Sequence, residues 1–584
     1  MIRGKPARSH PNNGGMRPLP QPDFSRFYKH DELLALLDGY AAARPELVER
    51  YVIGRSFEGR DIVLLAVTHR ATGPHADKPA LWVDGNIHAA ELLASTAVLF
   101  YLDALLSAYG QDEAVTRLLD TRTVYLVPRL NPDGAELALA DRPRHIRSST
   151  RRYPFDESPV SGLTPEDIDG DGRILSMRVP DPHGGWKADP QDPRLLVARE
   201  PGEFGGTYYR VMPEGLIQGY DGVHITVNPD AEGLDLNRNF PSEWRQEFEQ
   251  VGAGPYPTSE PEVRAMVDFI VQHPNIGAAL SYHTHSGVIL RPSTARSDDD
   301  LLPEDLWHIK RLSALGTQHT GFPAVSSWHD FRYHPKETIS GTQSWLYEHL
   351  GALFWVVELW SPNREAGITG YHWTDWYREH PAADDRKLLA WADTLGPDSA
   401  FVTWRPFQHP QLGAVEIGGW DLMNFWRNPP PAFRKKEVER FPAWMNQVAL
   451  SLPKLEVLQA EAEPLGDGHW RVRLAVANSG YLPSTVTLQA EKRQVVRGVV
   501  FELEDAQHPG RPLKLAPGQS PRVQGGQLAG HAPKSSPQAF LPNKAITGDR
   551  AQVQWLVEAP TGTVLRLRAR HPRAGVVEVQ LTLG

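Results

Sequence analysis

Cysteine is absent from all 584 residues, which excludes disulfides and any thiolate metal site. No run of 18 apolar residues occurs, so no membrane span is expected. The start, Met1-Ile-Arg-Gly-Lys-Pro-Ala-Arg, lacks the apolar stretch of an export signal. On the chain as given, a cytoplasmic location is expected, with export left open if the start has been trimmed. An excess of positive charge is also missing. The 61 Lys and Arg stand against 71 Asp and Glu, a formal charge of -10, which argues against nucleic acid as a partner. Length is not a constraint, since the chain can bury more than one core.

What is present is an ordered series of polar residues: His88-x-x-Glu91, Asn237-Arg238, His283 and Glu358. A catalytic zinc ion takes three nitrogen or oxygen ligands and leaves a fourth position for water, a need that two imidazoles and one carboxylate meet. His88 and Glu91 lie in Leu81-Trp-Val-Asp-Gly-Asn-Ile-His-Ala-Ala-Glu91, where an apolar run gives way to Gly85 and then to a helix expected over 92–106. Ligands gather at such strand-to-helix turns in open α/β sheets. Ala278-Ala-Leu-Ser-Tyr-His283 repeats the pattern of a short apolar strand ending in histidine. Taken alone, His-x-x-Glu is more often a solvated helix face. The segment Leu126-Val-Pro-Arg-Leu-Asn-Pro-Asp-Gly134, a strand ending in a turn, and Gly233-Leu-Asp-Leu-Asn-Arg-Asn-Phe-Pro241 raise its standing.

With these stretches in order, together with Ile53-Gly-Arg-Ser-Phe-Glu-Gly-Arg60, Ser259-Glu-Pro-Glu262, Ser340-Gly-Thr-Gln-Ser-Trp-Leu-Tyr347 and Phe354-Trp-Val-Val-Glu-Leu359, the chain resembles the funnelin-type zinc carboxypeptidases, the superfamily of carboxypeptidases A, B, N and E. The resemblance covers 24–453. It implies one Zn2+ per chain on His88, Glu91 and His283. It makes Glu358 the general base, which takes a proton from water and delivers it to the leaving amine. Asn237 and Arg238 become the donors that grip the terminal carboxylate of a peptide or protein. Gln343 is placed in the pocket for the terminal side chain, and Arg147 polarises the scissile carbonyl, with Arg151 and Arg152 as near rivals. Glu416, in Leu412-Gly-Ala-Val-Glu-Ile-Gly-Gly-Trp420, competes with Glu358 for the base. Glu358 is preferred because it follows Tyr347 by eleven residues, the family's spacing.

Departures from that pattern bear on detail. Ala90 stands where relatives carry an arginine, and their substrate-gripping tyrosine falls at Lys336, leaving Tyr333 or Lys336 to serve. Gln343 and the Asp235-Leu-Asn-Arg stretch lean toward the N and E branch, which prefers terminal Lys or Arg. Thr294 occupies the place of that branch's acidic pocket residue, with Asp298 to Asp300 nearby. The activity implied is hydrolysis of the C-terminal peptide bond. The alternatives are hydrolysis of an amide or isopeptide bond in a cell-wall or modified peptide, or an inactive relative that binds peptide ends.

The chain divides into a Pro, Gly and Asn-rich tail at 1–23, expected to be disordered, a body at 24–453, and a period-two region at 455–584. The body alternates strands and helices and is expected to form a mixed sheet between helical layers, an α/β/α fold. Its first helix is expected over 31–43 and its last around 435–450. Ser259 is expected to cap a helix that starts at Pro261. In the last region Trp470, Val472, Leu474 and Val476 alternate with polar residues, as do Leu565, Leu567 and Ala569, which predicts a C-terminal β-sandwich. An insertion at about 142–232 contains Asp167-Ile-Asp-Gly-Asp-Gly172, the start of an EF-like loop. Asp167, Asp169 and Asp171 are candidate Ca2+ ligands there. The twelfth position is Arg178 and not glutamate, so a solvated Asx-rich turn is the other reading.

Overall fold

The computed structural model describes residues 17–157, 161–332, 341–533 and 546–584. An eight-stranded mixed sheet runs in the order Val48–Arg55, Asp61–Val67, Thr123–Val127, Ala80–Gly85, Ile276–Thr284, Leu353–Leu359, Val288–Arg291, Ala324–Ser326. Its four central strands are parallel, so their carboxyl ends meet along one edge.

These strands are apolar on both faces because helices cover both. In Leu353–Leu359, Leu353, Trp355, Val357 and Leu359 enter one core while Phe354 and Val356 enter the other. The first core packs beneath helices His30–Ala43, Leu92–Ala108, Pro303–Thr320 and Pro442–Ser451, the second beneath Pro261–Gln272 and Thr342–Leu350. Full burial of a side chain such as Trp355 or Leu280 contributes roughly 1.5–3 kcal/mol each. Alternation puts Glu358 on the same face as Val356, one step past the end of that core.

A second sheet joins segments far apart in sequence. Its order is Phe401–His409, Gly413–Trp420, Ser176–Pro180, Tyr209–Pro213, Trp186–Ala188, Leu196–Ala198. The strands of the long insertion therefore pair with strands that follow the main sheet. At the C-terminus two four-stranded antiparallel sheets, Leu455–Gly466/His469–Asn478/Arg550–Glu558/Lys514–Leu515 and Arg522–Gly526/Val499–Asp505/Val564–His571/Gly575–Thr582, enclose the alternating residues read from sequence. Arg573, fully buried here, donates to the main-chain oxygens of Gly351, Leu350 and Thr485. Asp305 accepts the N–H groups of Leu488 and Gln489 at 2.7 and 3.0 Å and the Tyr347 hydroxyl at 3.0 Å.

Three expectations are corrected. The disorder expected over 1–23 does not hold for 17–23: Leu19 packs on the first core and Arg44 Nη1 donates to the Arg17 carbonyl. The helix expected at 435–450 is two helices, Pro431–Val438 and Pro442–Ser451, because Pro442 cannot continue the first. Ser259 does not cap Pro261–Gln272. Glu260 is its N-cap residue, and the Ser259 hydroxyl donates to the Glu260 carboxylate.

Glu262 generates a prediction. It is fully buried and accepts the Phe57 N–H at 2.8 Å, and burial pushes its carboxyl up to about 7. The folded state then holds this proton more tightly than the unfolded chain. The stability it contributes is present below about pH 4.5 and lost as pH rises through about 7, a change of up to about 3 kcal/mol. Glu262→Gln is expected to gain stability relative to the parent between pH 5 and pH 8 in denaturation measurements. Parallel pH–stability curves would contradict this assignment.

Candidate active site

The carboxyl ends of the parallel strands set the site. Gly85 closes its strand against the next helix so tightly that a Cβ there would lie 2.5 Å from the Ala94 oxygen. The chain turns at Asn86, whose amide donates to the carbonyls of His88 and Ala89, and Glu91 becomes the N-cap residue of Leu92–Ala108. Two strands away from Thr123–Val127, His283 is the ladder partner of Glu358, and Ser281 that of Asp84.

His88, Glu91 and His283 converge and are buried. His88 Nδ1 is 3.0 Å from Glu91 Oε1, His283 Nδ1 is 3.0 Å from Glu91 Oε2, and the two Nδ1 atoms are 3.1 Å apart. Ligands about 2.0–2.1 Å from tetrahedral zinc stand roughly 3.3 Å from each other, so the set fits such an ion. The opposite ring nitrogens have their own partners: His88 Nε2 meets Asp235 Oδ1 at 3.2 Å, and His283 Nε2 meets Ser281 Oγ at 3.4 Å. Ser281 in turn donates to Asp84, which also accepts from the Trp82 indole. Such outer partners fix the tautomer and leave Nδ1 for a metal.

Asp235, which the sequence motif contains but gives no role, proves central. Besides His88 it accepts from Arg147 Nε at 2.9 Å and from the Asn237 N–H at 2.9 Å, and Arg238 Nη1 lies 3.7 Å away. Burial opposes its charge, but Arg147, Arg238 and His88 hold it well below the usual carboxylate range. Arg147 also lies 3.8 Å from Glu91, whereas Arg151 pairs with Glu260 and Arg152 binds the Asp156 carbonyl. The Asn237 side-chain oxygen accepts from the Thr342 N–H and hydroxyl, which turns its NH2 end to other partners.

Glu358 lines a cavity of about 390 Å3 with His88, Glu91, His283, Asn237 and Arg238. It is half-buried there, and desolvation together with the charge of Glu91 pushes its carboxyl up to about 7, against the pull of His283, Arg147 and Arg427. Its sequence rival Glu416 is elsewhere, paired at 2.7 Å with Arg178 across the second sheet. Gln343 lines the same cavity, with both ends engaged: it accepts from Ser327 and donates to the Leu290 carbonyl. Leu290, Val356, Phe331, Thr294 and Ser327 complete this end. Asp298 is held by Arg291 and Lys310 and does not line it. Tyr333 and Lys336 lie outside the described residues.

Arg427, His285 and Tyr377 also border the cavity and were missed from sequence, since no local pattern marks them. Arg427 Nη1 approaches Glu91 to 3.6 Å. The candidate calcium trio is not assembled as expected. Asp167 and Asp169 come together with buried Glu214 instead of Asp171, and Glu214 already accepts from the N–H groups of Leu175 and Ile168. Asp167 and Asp171 likewise accept main-chain N–H groups of the turn.

A sequence profile described as zinc carboxypeptidase matches residues 33–372, and one for a domain of unknown function matches 454–582. The chain is similar to carboxypeptidase A2 of Mus musculus, 27% identical over 280 residues, covering 47% of this chain and 50% of that protein. It is also similar to carboxypeptidase A1 of Rattus norvegicus, 24% identical over 351 residues, covering 60% of this chain and 65% of that protein. The chain thus spans about half to two thirds of the length of these relatives. Among solved structures, thrombin activatable fibrinolysis inhibitor matches with a TM-score of 0.42 at 15% identity, over 73% of this chain and 74% of that one. Carboxypeptidase A from Helicoverpa armigera matches with a TM-score of 0.39 at 16% identity, over 64% and 74% respectively.

His88→Ala and His283→Ala are each expected to abolish stoichiometric zinc, and Asp235→Asn to weaken its binding about 10–100-fold, read by competition with a chromophoric chelator. Full zinc retention by His283→Ala would remove that residue from the ligand set.

Proposed function

The chain belongs to the zinc carboxypeptidase family, and from that premise we propose that it is a metallocarboxypeptidase releasing the C-terminal residue of peptides or proteins. The observation that carries this reading is one cavity bordered by the metal-binding trio, by Glu358 and by Asn237 with Arg238. Zinc on His88, Glu91 and His283 would supply a Lewis acid that acidifies water and polarises a carbonyl. Glu358 takes the proton of the attacking water and returns it to the leaving nitrogen, a task suited to a carboxyl whose pKa is raised toward neutrality. Arg147, braced by Asp235, faces the scissile carbonyl oxygen. Arg238 and the Asn237 NH2 hold the terminal carboxylate, a charge-assisted contact contributing roughly 1.5–3 kcal/mol.

The terminal side chain then rests against Leu290, Val356 and Phe331, with Thr294, Ser327 and Gln343 as neutral polar neighbours. Among the described lining residues the only carboxylates are Glu91 and Glu358, both committed to other work. Among the described lining residues a lysine or arginine end would find no partner, and burying it so is costly. This supports a neutral, apolar terminal residue and not the basic preference that Gln343 suggests from sequence. The non-catalytic reading has less support, since the residues that the catalytic reading needs, His88, Glu91, His283, Glu358, Asn237 and Arg238, border one cavity.

Three outcomes are expected. Glu358→Gln retains zinc and loses about 10²–10⁴ in kcat; near-normal turnover would sink the base assignment. Peptides ending in Leu or Phe are cleaved at least about tenfold more efficiently, by kcat/KM, than those ending in Lys or Arg, and the reverse order would reject the pocket reading. Amidating the substrate C-terminus suppresses cleavage, with unchanged cleavage indicating an endopeptidase or amidase.

A further inference from the structure

A larger cavity, about 540 Å3, adjoins the one just described and shares with it His88, Glu91, Arg147, His285, Tyr377 and Arg427. Asn237, Arg238 and Gln343 line only the smaller cavity. A peptide whose terminus is read in the smaller cavity, and whose scissile bond lies at this junction, must continue into the larger one. The larger cavity has the volume of an ordinary ligand site. Ala90 forms part of its floor, where a longer side chain would fill the space.

Its far wall is aromatic and comes from 373–427, beyond the stretch that the zinc carboxypeptidase profile matches. Trp376 and Tyr377 face Trp426 at centroid distances of 5.9 and 6.2 Å, and Trp420 lies 6.2 Å from Trp426. Trp426 stands on the π-helical turn Leu422–Arg427, a type of turn found often at functional sites. That turn is anchored by buried Phe425, stacked on Trp420 at 5.1 Å. Leu422 and Met423 extend the apolar lining. Apart from Glu91, which belongs to the metal-binding trio, the charged groups at the junction are cations, Arg147 and Arg427, which oppose a basic side chain. The other carboxylates of the lining are Asp230, which is exposed, and Asp385, paired with His380 at 3.1 Å, and the Tyr377 hydroxyl meets His285 Nδ1 at 3.0 Å.

We propose that this cavity is the acyl-side subsite of the same reaction and that it selects a large aromatic side chain on the residue that provides the scissile carbonyl, with Trp376, Tyr377 and Trp426 as its walls. Aromatic rings at such separations attract beyond their area burial, and the wall is pre-assembled by its own ring contacts. This inference rests on the carboxypeptidase reading for the direction of the chain, and the test separates the two.

Full-length, zinc-loaded Glu358→Gln protein is titrated calorimetrically with acetyl-Gly-Phe-Leu, acetyl-Gly-Ala-Leu and acetyl-Gly-Lys-Leu, each as free acid and as amide. The Phe peptide is expected to bind about tenfold or more tightly than the Ala peptide, and the Lys peptide no more tightly than Ala. Trp426→Ala in the same background brings the Phe/Ala ratio to near one. Trp426→Leu, which keeps an apolar filler should the alanine variant not fold, lowers it as well. Equal affinity of Phe and Ala peptides, or a Phe/Ala ratio unchanged by both Trp426 substitutions, overturns the subsite. If amides bind as tightly as acids, the reading of the terminus fails, while the Phe/Ala ratio among the amides still decides the subsite.

Discussion

One buried carboxylate, that of Asp235, fixes the relation between groups drawn from three distant stretches of chain. It meets the imidazole of His88 and the guanidinium groups of Arg147 and Arg238. Taking such a charge out of water costs several kcal/mol, and here three cationic or proton-donating partners compensate it. Withdrawing any one of the three removes part of that compensation from a buried charge, which is destabilising. The orientations of His88, Arg147 and Arg238 are therefore one structural fact. The Asn-Arg pair of the sequence is held by the aspartate two residues before it.

The sequence was most informative where physics is local. His88 and Glu91 sit where one apolar strand turns into a helix and His283 near the end of another, contexts visible in short consecutive stretches. The period-two pattern of the last region reports a sheet with one buried face, and Trp470 to Val476 are buried as that pattern requires. What escaped was pairing across long separations. Glu416 looked like a lone carboxylate in an apolar strand, and only the register opposite Arg178 shows it to be a cross-strand ion pair. Arg427 and the tryptophans near it carry no spacing signal, since Arg427 meets Glu91 and Trp426 meets His285, Trp376 and Tyr377 across long separations in sequence. Pro442 divides the expected closing helix in two, a local signal that lies among apolar residues fitting one continuous helix.

The second sheet explains why insertion and late segment belong together. Strands of 176–213 pair among themselves and 401–420 forms its own hairpin, and the pairing of Gly413–Trp420 with Ser176–Pro180 joins the two into one sheet, so that neither leaves that edge open. Trp420 ends one of these strands and leads directly into the turn that carries Trp426 and Arg427. The added sheet thus forms one wall of the cleft, opposite residues contributed by the main sheet.

Arg573 gives the C-terminal sheets a role that reaches the pocket. Its guanidinium holds the carbonyls of Leu350 and Gly351, which close the helix that begins beside Asn237 and carries Gln343. Asp305, from the other side, holds the N–H groups of the short helix packed on that same end. A chain cut near residue 454 would bare the apolar surface of that joint and take their partners from Asp305 and from the carbonyls of Leu350 and Gly351. Whoever truncates or grafts the body at 24–453 therefore disturbs the end of the helix that carries Gln343.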